Sequence, residues 1–195
     1  MKEPLKKDYD WLLPYSQLIL NKKVLELGSG SGIDTARLAE LCKILYVIEK
    51  DEQRAEIVRQ KFPDVKISCG DFREILPLFN YKIDTVIASL SLHYFNDIDT
   101  KKILGYLLKI LGESSTLIVR VNSINDIHFG SLGYSKIEDG LLNTNGMTKR
   151  FFNHEAIEKY FSPDFEIINL QEKSIDRYSK EKIIWEFVAK KKIIK

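Results

Sequence analysis

Short apolar runs alternate with amphipathic stretches of helical length along most of the chain. From residue 21 onward, each run rich in β-branched and other apolar residues is followed by a segment whose apolar positions recur every three or four residues. The pattern predicts strands at 24–27, 44–48, 65–68, 84–89 and 115–121, separated by helices at 34–41, 51–62 and 98–111 and by a short helix or turn at 73–79. Such alternation is typical of a parallel sheet with helices on both faces.

The last third of the chain departs from this rhythm. Residues 122–147 contain four glycines and several Asn and Asp residues, which predicts a long loop or lid facing the substrate. A helix at 153–161 follows, and then two strand-like runs at 165–173 and 183–190 are separated by a polar turn. We expect these two runs to form an antiparallel pair that closes the sheet.

Composition places the chain among globular proteins with one core. It has 195 residues, of which 44% are hydrophobic and 30% charged, and its formal net charge is +2. The apolar runs are too short to span a bilayer, so we expect no membrane partner. Cys42 and Cys69 have no CxxC spacing, which predicts neither a zinc site nor a disulfide framework and favours a reducing cytoplasm.

The most informative segment is a buried strand that runs into a glycine loop and then a helix. It reads Val24-Leu-Glu-Leu-Gly-Ser-Gly-Ser-Gly-Ile-Asp-Thr35. Glycines allow a sharp turn and close approach of a ligand to the backbone, so the pattern predicts a nucleotide-type site. Ile33 occupies the third glycine position of the dinucleotide fingerprint, and the Lys of a phosphate-binding P-loop is missing. A different nucleotide-binding protein of the Rossmann type stays open as an alternative.

These residues resemble the first motif of the class I S-adenosylmethionine-dependent methyltransferases, an acidic residue followed by GxGxG. The resemblance implies a Rossmann-like, doubly wound α/β fold with a mostly parallel seven-stranded sheet, an antiparallel C-terminal strand and helices on both faces. It also implies that Glu26 helps to hold the methionine ammonium group, and that the loop passes under methionine and ribose through Gly28, Ser29, Gly30 and Gly32. Asp34-Thr35 is similar to the variant of small thiopurine and tellurite methyltransferases, which implies that both residues contact the cofactor.

Two further acidic residues follow strands at positions that suit the same cofactor. Glu49, with Lys50 beside it, ends the second strand, where a carboxylate can accept hydrogen bonds from both ribose hydroxyls. Asp71 ends the third strand, and the resemblance implies that it accepts from the adenine amine while Phe72 packs on the ring. One acidic residue at a strand end is often only a solvated terminus, but three at successive ends favour one ligand.

The residues that contact the acceptor are predicted at the ends of the fourth and fifth strands. Ser89 and Leu90 resemble the family's cofactor-lining motif, and His93 and Tyr94 follow them. His93 is a candidate general base, although a histidine that orients the loop through backbone hydrogen bonds fits the sequence equally well. Arg120 either clamps an anionic substrate or pairs with Asp126 to hold its loop.

The small size of the chain favours one methyltransferase domain over residues 1–195 with a small-molecule acceptor. Residues 1–20 are expected to form an N-terminal helical lid, although the spacing of Tyr9, Trp11 and Tyr15 favours packing against the core over contact with the cofactor. Residues 122–150 are the expected substrate-side insertion. We expect S-adenosylhomocysteine as product, no metal and no nucleic-acid partner; the acceptor and the oligomeric state stay open.

Two alternative functions predict different features of the structure. An RNA or protein methyltransferase would use the lysine-rich end, Lys190 to Lys192 and Lys195, as a basic stripe beside the pocket. A regulatory protein that binds the cofactor without transfer would have its pocket plugged by side chains of the 122–147 segment.

Overall fold

A computed structural model describes residues 11–193 and places a seven-stranded sheet at the centre of the molecule. Its strands are β1 (Lys23–Leu27), β2 (Ile44–Glu49), β3 (Lys66–Cys69), β4 (Ile83–Ser89), β5 (Leu111–Asn122), β9 (Phe165–Ile175) and β10 (Lys182–Lys191). A separate three-stranded sheet contains β6 (Ser135–Glu138), β7 (Leu141–Thr144) and β8 (Met147–Arg150). The α-helices are α1 (Ser16–Ile19), α2 (Ile33–Leu41), α3 (Glu52–Lys61), α4 (Phe72–Ile75), α5 (Asp97–Ile110) and α6 (His154–Phe161).

The order of the large sheet is β3-β2-β1-β4-β5-β10-β9. Strands β1 to β5 pair in parallel, whereas β10 runs antiparallel to both β5 and β9. The predicted fold, a doubly wound sheet with one reversed C-terminal strand, is therefore confirmed. Because the strand order reverses between β1 and β4, a crevice opens outside their carboxyl ends, which is where doubly wound sheets bind ligands.

Each face of the sheet supports its own hydrophobic core. Leu25 and Leu27 point to the face covered by α5 and α6, while Val24 points to the face covered by the N-terminal segment and α2. Successive side chains of a strand alternate between faces, so a strand buried on both sides is apolar throughout. This explains why the central strands are continuous apolar runs in the sequence.

The 122–147 segment is not the long loop that its composition predicts. It contains β6, β7 and the start of β8, joined by Asp139-Gly140 and Asn145-Gly146. Asn145 and Gly146 have φ angles of 55° and 85°, the left-handed pair that closes a two-residue hairpin. The Asn-Gly and Asp-Gly pairs are hairpin signals, and the prediction of a loop gave them too little weight.

The N-terminal segment, within the described residues, lies on the core of the α2 face. Trp11, Leu12 and Ile19 are buried there, and a 3₁₀ turn at Leu13–Tyr15 leads into α1. Tyr9 and the rest of the predicted lid before residue 11 lie outside the described residues. Among residues 11–193, none of the helices combines the length and the apolar character needed to cross a membrane.

Candidate functional site

The glycine loop between β1 and α2 forms one wall of the crevice. Gly28, Gly30 and Gly32 all have positive φ, at 80°, 53° and 82°. A side chain at Gly28 would place its Cβ 3.1 Å from the Cβ of Ser91, so the loop depends on glycine for both conformation and space. The loop therefore brings bare backbone to the crevice, as the sequence predicts.

Glu49 supports this loop from the end of β2. One of its carboxylate oxygens accepts from the Gly30 amide at 2.8 Å and from the Ser29 hydroxyl at 3.4 Å, and the other accepts from the Asp51 amide at 2.9 Å. The side chain is buried but lines the crevice. A carboxylate has about four acceptor positions, so Glu49 keeps capacity for further donors.

Glu26 and Thr35 lie behind the loop and not on the crevice wall. The Thr35 hydroxyl donates to Glu26 at 2.7 Å, and both side chains are buried. Desolvation raises the pKa of Glu26 to about 8, and the charge of Asp34 contributes to the rise. Thr35 thus positions Glu26, whereas the sequence predicts it as a direct cofactor contact.

Asp34 joins two remote segments to the start of α2. Its carboxylate accepts from the Trp11 indole at 3.0 Å and from Arg177 at 3.2 Å. Trp11 belongs to the N-terminal segment and Arg177 to the β9–β10 connection, and Asp34 and Arg177 both line the crevice. Trp11 therefore packs in the core and also donates to a side chain of the cleft wall, whereas the lid role of the N-terminal segment stays a prediction.

Asp71 and Phe72 lie at the far end of the crevice, where α4 begins. Asp71 caps α4 and binds Arg73 at 2.9 Å and Lys50 at 3.2 Å. Hydrogen bonds from Arg73 are the main reason that the pKa of Asp71 is well below its ordinary value. Phe72 lines the crevice with its ring 5.8 Å from that of Phe95.

The end of β4 presents hydroxyl groups beside the glycine loop. Leu90 has a φ of 56°, rare for a residue with a side chain, and it places Ser89 and Ser91 on either side of a sharp turn. The hydroxyl oxygens of both serines are buried without a hydrogen-bond partner among the described residues. Buried polar groups are normally satisfied, so these two indicate where a polar ligand binds.

Together these walls enclose an open cleft of about 1120 Å³. Its floor consists of the glycine loop and the ends of β2, β3 and β4, and the small sheet contributes Ile137, Leu141, Met147 and Thr148 on the other side. Pockets for single drug-sized ligands commonly measure about 300–1,000 Å³. The cleft thus has room for a nucleoside-sized cofactor and a second small molecule.

The small sheet is fixed firmly over the cleft. The buried Arg150 pairs with Glu138, donates to the Asp139 carbonyl at 2.7 Å and lies 5.0 Å from the Tyr160 ring. Thr148 donates to the Tyr94 carbonyl at 2.9 Å, which links the small sheet to the end of β4. These buried contacts hold the 122–150 insertion in place as a wall of the cleft.

The three residues predicted to act on the acceptor fall in different environments. Tyr94 lines the cleft, whereas His93 is 2% exposed and is absent from the cleft wall. Burial, followed by the charges of Lys182 and Lys149, holds the pKa of His93 well below its ordinary value. The position of His93 contradicts its prediction as a base on the acceptor, and its Nδ1 has no hydrogen-bond partner among the described residues.

Arg120 does not clamp a substrate. It is 1% exposed, binds Glu186 at 2.7 Å, and places its guanidinium 3.9 Å from the centre of the Trp11 ring. The alternative partner, Asp126, instead binds Lys182 at 2.7 Å. Both interpretations of Arg120 are wrong because the arginine points to the α2 face and not toward the crevice.

Sequence reasoning missed several residues of the cleft wall. Arg54 lies just after the acidic start of α3, and Arg177 and Tyr178 lie in the polar turn before β10. Nothing in the sequence around these three residues indicates that they line a binding cleft. Ile137 and Met147 could have been predicted on the small sheet from the two hairpin signals between them, Asp139-Gly140 and Asn145-Gly146. The others depend on which segments the fold brings together.

Comparison with known proteins defines the class. Residues 24–113 match the sequence model of the methyltransferase domain family. The chain is 30% identical over 95 residues to an uncharacterized methyltransferase of Anoxybacillus flavithermus, covering 49% of this chain and 44% of that protein. It is 25% identical over 179 residues to one of Bacillus velezensis, covering 85% and 84%. The chain thus spans less than half of the first relative and most of the second.

Solved structures share the fold. A 1,6-didemethyltoxoflavin-N1-methyltransferase of Burkholderia thailandensis, solved with that compound and S-adenosylhomocysteine, has a TM-score of 0.73 at 17% identity, covering 95% of this chain and 80% of that one. TehB of Haemophilus influenzae has a TM-score of 0.69 at 13% identity, covering 93% and 61%.

Over residues 24–113 the chain matches the methyltransferase domain family, and its fold is the one found in solved methyltransferases that hold S-adenosylhomocysteine. The resemblance predicted from Glu26 to Thr35 is confirmed. The predicted cofactor, S-adenosylmethionine, is confirmed as well. Methyltransferases of this fold use it, and the B. thailandensis structure holds its product form, S-adenosylhomocysteine.

Proposed function

We propose that the chain transfers a methyl group from S-adenosylmethionine to a small-molecule acceptor. One observation carries the proposal: the cleft at the strand-order reversal has a glycine cradle on one side and the rigid small sheet on the other, with space left between them. The uncommitted Ser89 and Ser91 hydroxyls and the open approach to Gly30 fit a polar ligand lying on the loop.

The residues that would hold the cofactor are those predicted at the strand ends. The loop from Gly28 to Gly32 would support methionine and ribose, Glu49 would accept from the ribose hydroxyls, and Phe72 would pack on adenine with Asp71 at its edge. Bound S-adenosylmethionine supplies a methyl group on a sulfonium, which needs no further activation. Glu26, whose pKa burial raises to about 8, would ionise behind the loop when the cationic methionine group binds, while Asp34 lies on the wall.

The protein's part in the chemistry is alignment and exclusion of water. The acceptor heteroatom forms the new bond with its lone pair as the carbon–sulfur bond breaks toward sulfur, and any proton on that atom leaves to water. Burial raises the pKa of Tyr94, so its phenol stays protonated near neutral pH and can donate a hydrogen bond to the acceptor. A buried, neutral His93 supports the Tyr94 ring at a centroid distance of 4.2 Å.

The geometry disfavours the macromolecular alternative. Lys190 pairs with Thr116 in the first half of β5, away from the carboxyl end of that strand. Lys191 donates to the carbonyls of Leu108 and Leu111, and Lys192 to that of Ser162. These lysines cap helix ends and form no basic stripe at the cleft; Lys195 lies outside the described residues.

The open cleft also disfavours a protein that binds the cofactor without transfer. Side chains of the 122–147 segment line the cleft and leave it accessible. The neighbour from B. thailandensis accommodates a small heterocycle beside its cofactor product in the same fold. A cytoplasmic location completes the proposal, since Cys42 and Cys69 are both free thiols.

Calorimetric titration with S-adenosylhomocysteine and, separately, with NAD tests the cofactor site. We expect S-adenosylhomocysteine to bind and Glu49→Gln to weaken it by about tenfold, because a charged acceptor is lost. Glu52→Gln, an exposed change three residues further on at the start of α3, is the matched control. Binding of NAD instead, or of neither ligand, would overturn the proposal.

A further inference from the structure

The carboxylates of the cleft are already engaged. Five line it within the described residues, and each accepts hydrogen bonds from the chain: Asp34, Glu49, Asp51, Asp71 and Asp99. All five lie at the end of β2 or at the starts of α2, α3, α4 and α5. A positively charged acceptor would therefore compete with donors of the chain, and Glu49, which keeps free acceptor positions, lies beside the glycine loop.

The wall on the acceptor side is apolar and aromatic. Ile137, Leu141 and Met147 come from the small sheet, and Tyr94 and Tyr178 from the end of β4 and the β9–β10 connection. No acidic residue of the small sheet is on this wall within the described part of the chain. Flat aromatic side chains beside aliphatic ones favour a planar apolar ring as ligand.

Arg54 differs from the other cations of the cleft. Lys50 and Arg73 bind Asp71, and Arg177 binds Asp34, whereas the Arg54 guanidinium has no acidic partner among residues 11–193. Burial raises the pKa of Tyr94, the nearby Tyr178 adds to the rise, and Arg54 opposes it. The Arg54 guanidinium and the Tyr178 phenol therefore each lie within electrostatic range of the Tyr94 phenol, and all three side chains line the cleft.

Positive charge also lies behind the aromatic wall. The ammonium of Lys182 is buried 4.7 Å from the centre of the Phe129 ring and 5.7 Å from that of Tyr178. Its ion pair with Asp126 offsets part of this charge, yet Lys182 and Lys149 still help to depress the pKa of His93. The potential at this end of the cleft thus favours a negatively charged ligand.

We infer that the methyl acceptor is a planar aromatic compound with an anionic group, its ring against Tyr94 and Tyr178 and its negative charge at Arg54. The inference rests on the proposed function, because it concerns the acceptor side of the same cleft. Arg54 is a specificity-determining residue in this arrangement, because its fork of donors suits a carboxylate or an ionised phenol.

Three probes with the same phenol ring test the inference by binding alone. They are 4-hydroxyphenylacetate, 4-ethylphenol and tyramine, whose side chains are anionic, neutral and cationic. Each is titrated by calorimetry into protein saturated with S-adenosylhomocysteine. We expect 4-hydroxyphenylacetate to bind about tenfold tighter than tyramine, as a charge-assisted contact would give.

Arg54→Gln should abolish this preference and leave the affinity for S-adenosylhomocysteine unchanged. Arg59→Gln is the matched control, because Arg59 lies on the same helix, pairs with Glu56 and does not line the cleft. Tyramine binding as tightly as the anion, no binding of the anion, or an unchanged preference in Arg54→Gln would each overturn the inference. Failure of the proposed function is visible separately, because S-adenosylhomocysteine itself would then not bind.

Discussion

Glu26 is a carboxyl group buried behind the glycine loop, two residues before the loop begins. Burial raises its pKa to about 8, the charge of Asp34 adds to the effect, and the hydrogen bond from Thr35 opposes it. The free protein at neutral pH therefore keeps Glu26 mostly protonated. A cationic ligand group nearby would favour the ionised form, so cofactor binding and proton release are linked at this residue.

The raised pKa predicts how stability depends on pH. The unfolded chain loses the Glu26 proton near 4.5, whereas the folded protein holds it up to about 8. The contribution of Glu26 to the free energy of unfolding is thus fully present below pH 4.5. It is lost as the pH rises toward 8, by about a few kcal/mol. Glu26→Gln should remove this decline in the free energy of unfolding, measured with urea across the interval.

Glu40→Gln is the control for this prediction. It changes an exposed carboxylate on α2, the helix that follows the same loop. Its stability curve should run parallel to that of the unchanged protein. If stability fell with pH in Glu26→Gln as steeply as in the unchanged protein and in Glu40→Gln, Glu26 would already be ionised in the folded state.

At the scale of elements, Asp34 is the point where three parts of the chain meet. Helix α2 presents its carboxylate, the N-terminal segment contributes Trp11, and the β9–β10 connection contributes Arg177. These contacts close the cleft beside the glycine loop. The predicted role of the N-terminal segment as a lid therefore depends on one side chain in the first turn of α2.

Substitution of Asp34 should loosen the N-terminal segment. The chain has two tryptophans, so Trp185→Phe leaves Trp11 as the only fluorescent indole. In that background we expect acrylamide quenching to increase for Asp34→Asn, which loses the charge at Arg177, and further for Asp34→Ala, which also loses the indole acceptor. Glu40→Ala on the same helix should leave quenching unchanged. Equal quenching in all variants would show that core packing alone holds Trp11.

At the scale of the whole molecule, a buried charge cluster joins the sheet to the N-terminal segment. Glu186 on β10 accepts from Arg120 of β5 at 2.7 Å, from Lys173 of β9 at 2.6 Å and from Tyr15 at 2.7 Å. Burial opposes its ionisation, but these donors together hold the pKa of Glu186 below its ordinary value. The ionised form of Glu186 therefore depends on all three of these donors.

Removing one partner should be costly. Arg120→Met leaves Glu186 buried with less compensation, and we expect a loss of about 3 kcal/mol in the free energy of unfolding. Lys136→Met breaks an exposed pair with Asp139 and should cost less than about 1 kcal/mol. Urea unfolding of both variants checks the difference. Similar losses would mean that solvent reaches the Arg120–Glu186 pair.

The sequence alone determined the sheet, the glycine loop and the acidic residues at three strand ends. These features are local: the period of apolar positions fixes strands and helices, and glycine fixes a loop that needs positive φ at Gly28, Gly30 and Gly32. Parallel strands then bring their carboxyl ends to one edge, which places Glu49 and Asp71 on the same cleft. The roles of these residues toward the cofactor stay predictions.

Only the tertiary structure decided which charged side chains face the cleft and which are buried. Arg120 and Asp126 lie six residues apart, yet they pair with Glu186 and Lys182 of another strand, because β10 lies beside β5. Tyr94 reaches the cleft while His93, its neighbour, is buried under the small sheet. Such partners are separated by tens of residues along the chain, so no local pattern encodes them; the packing of distant segments does.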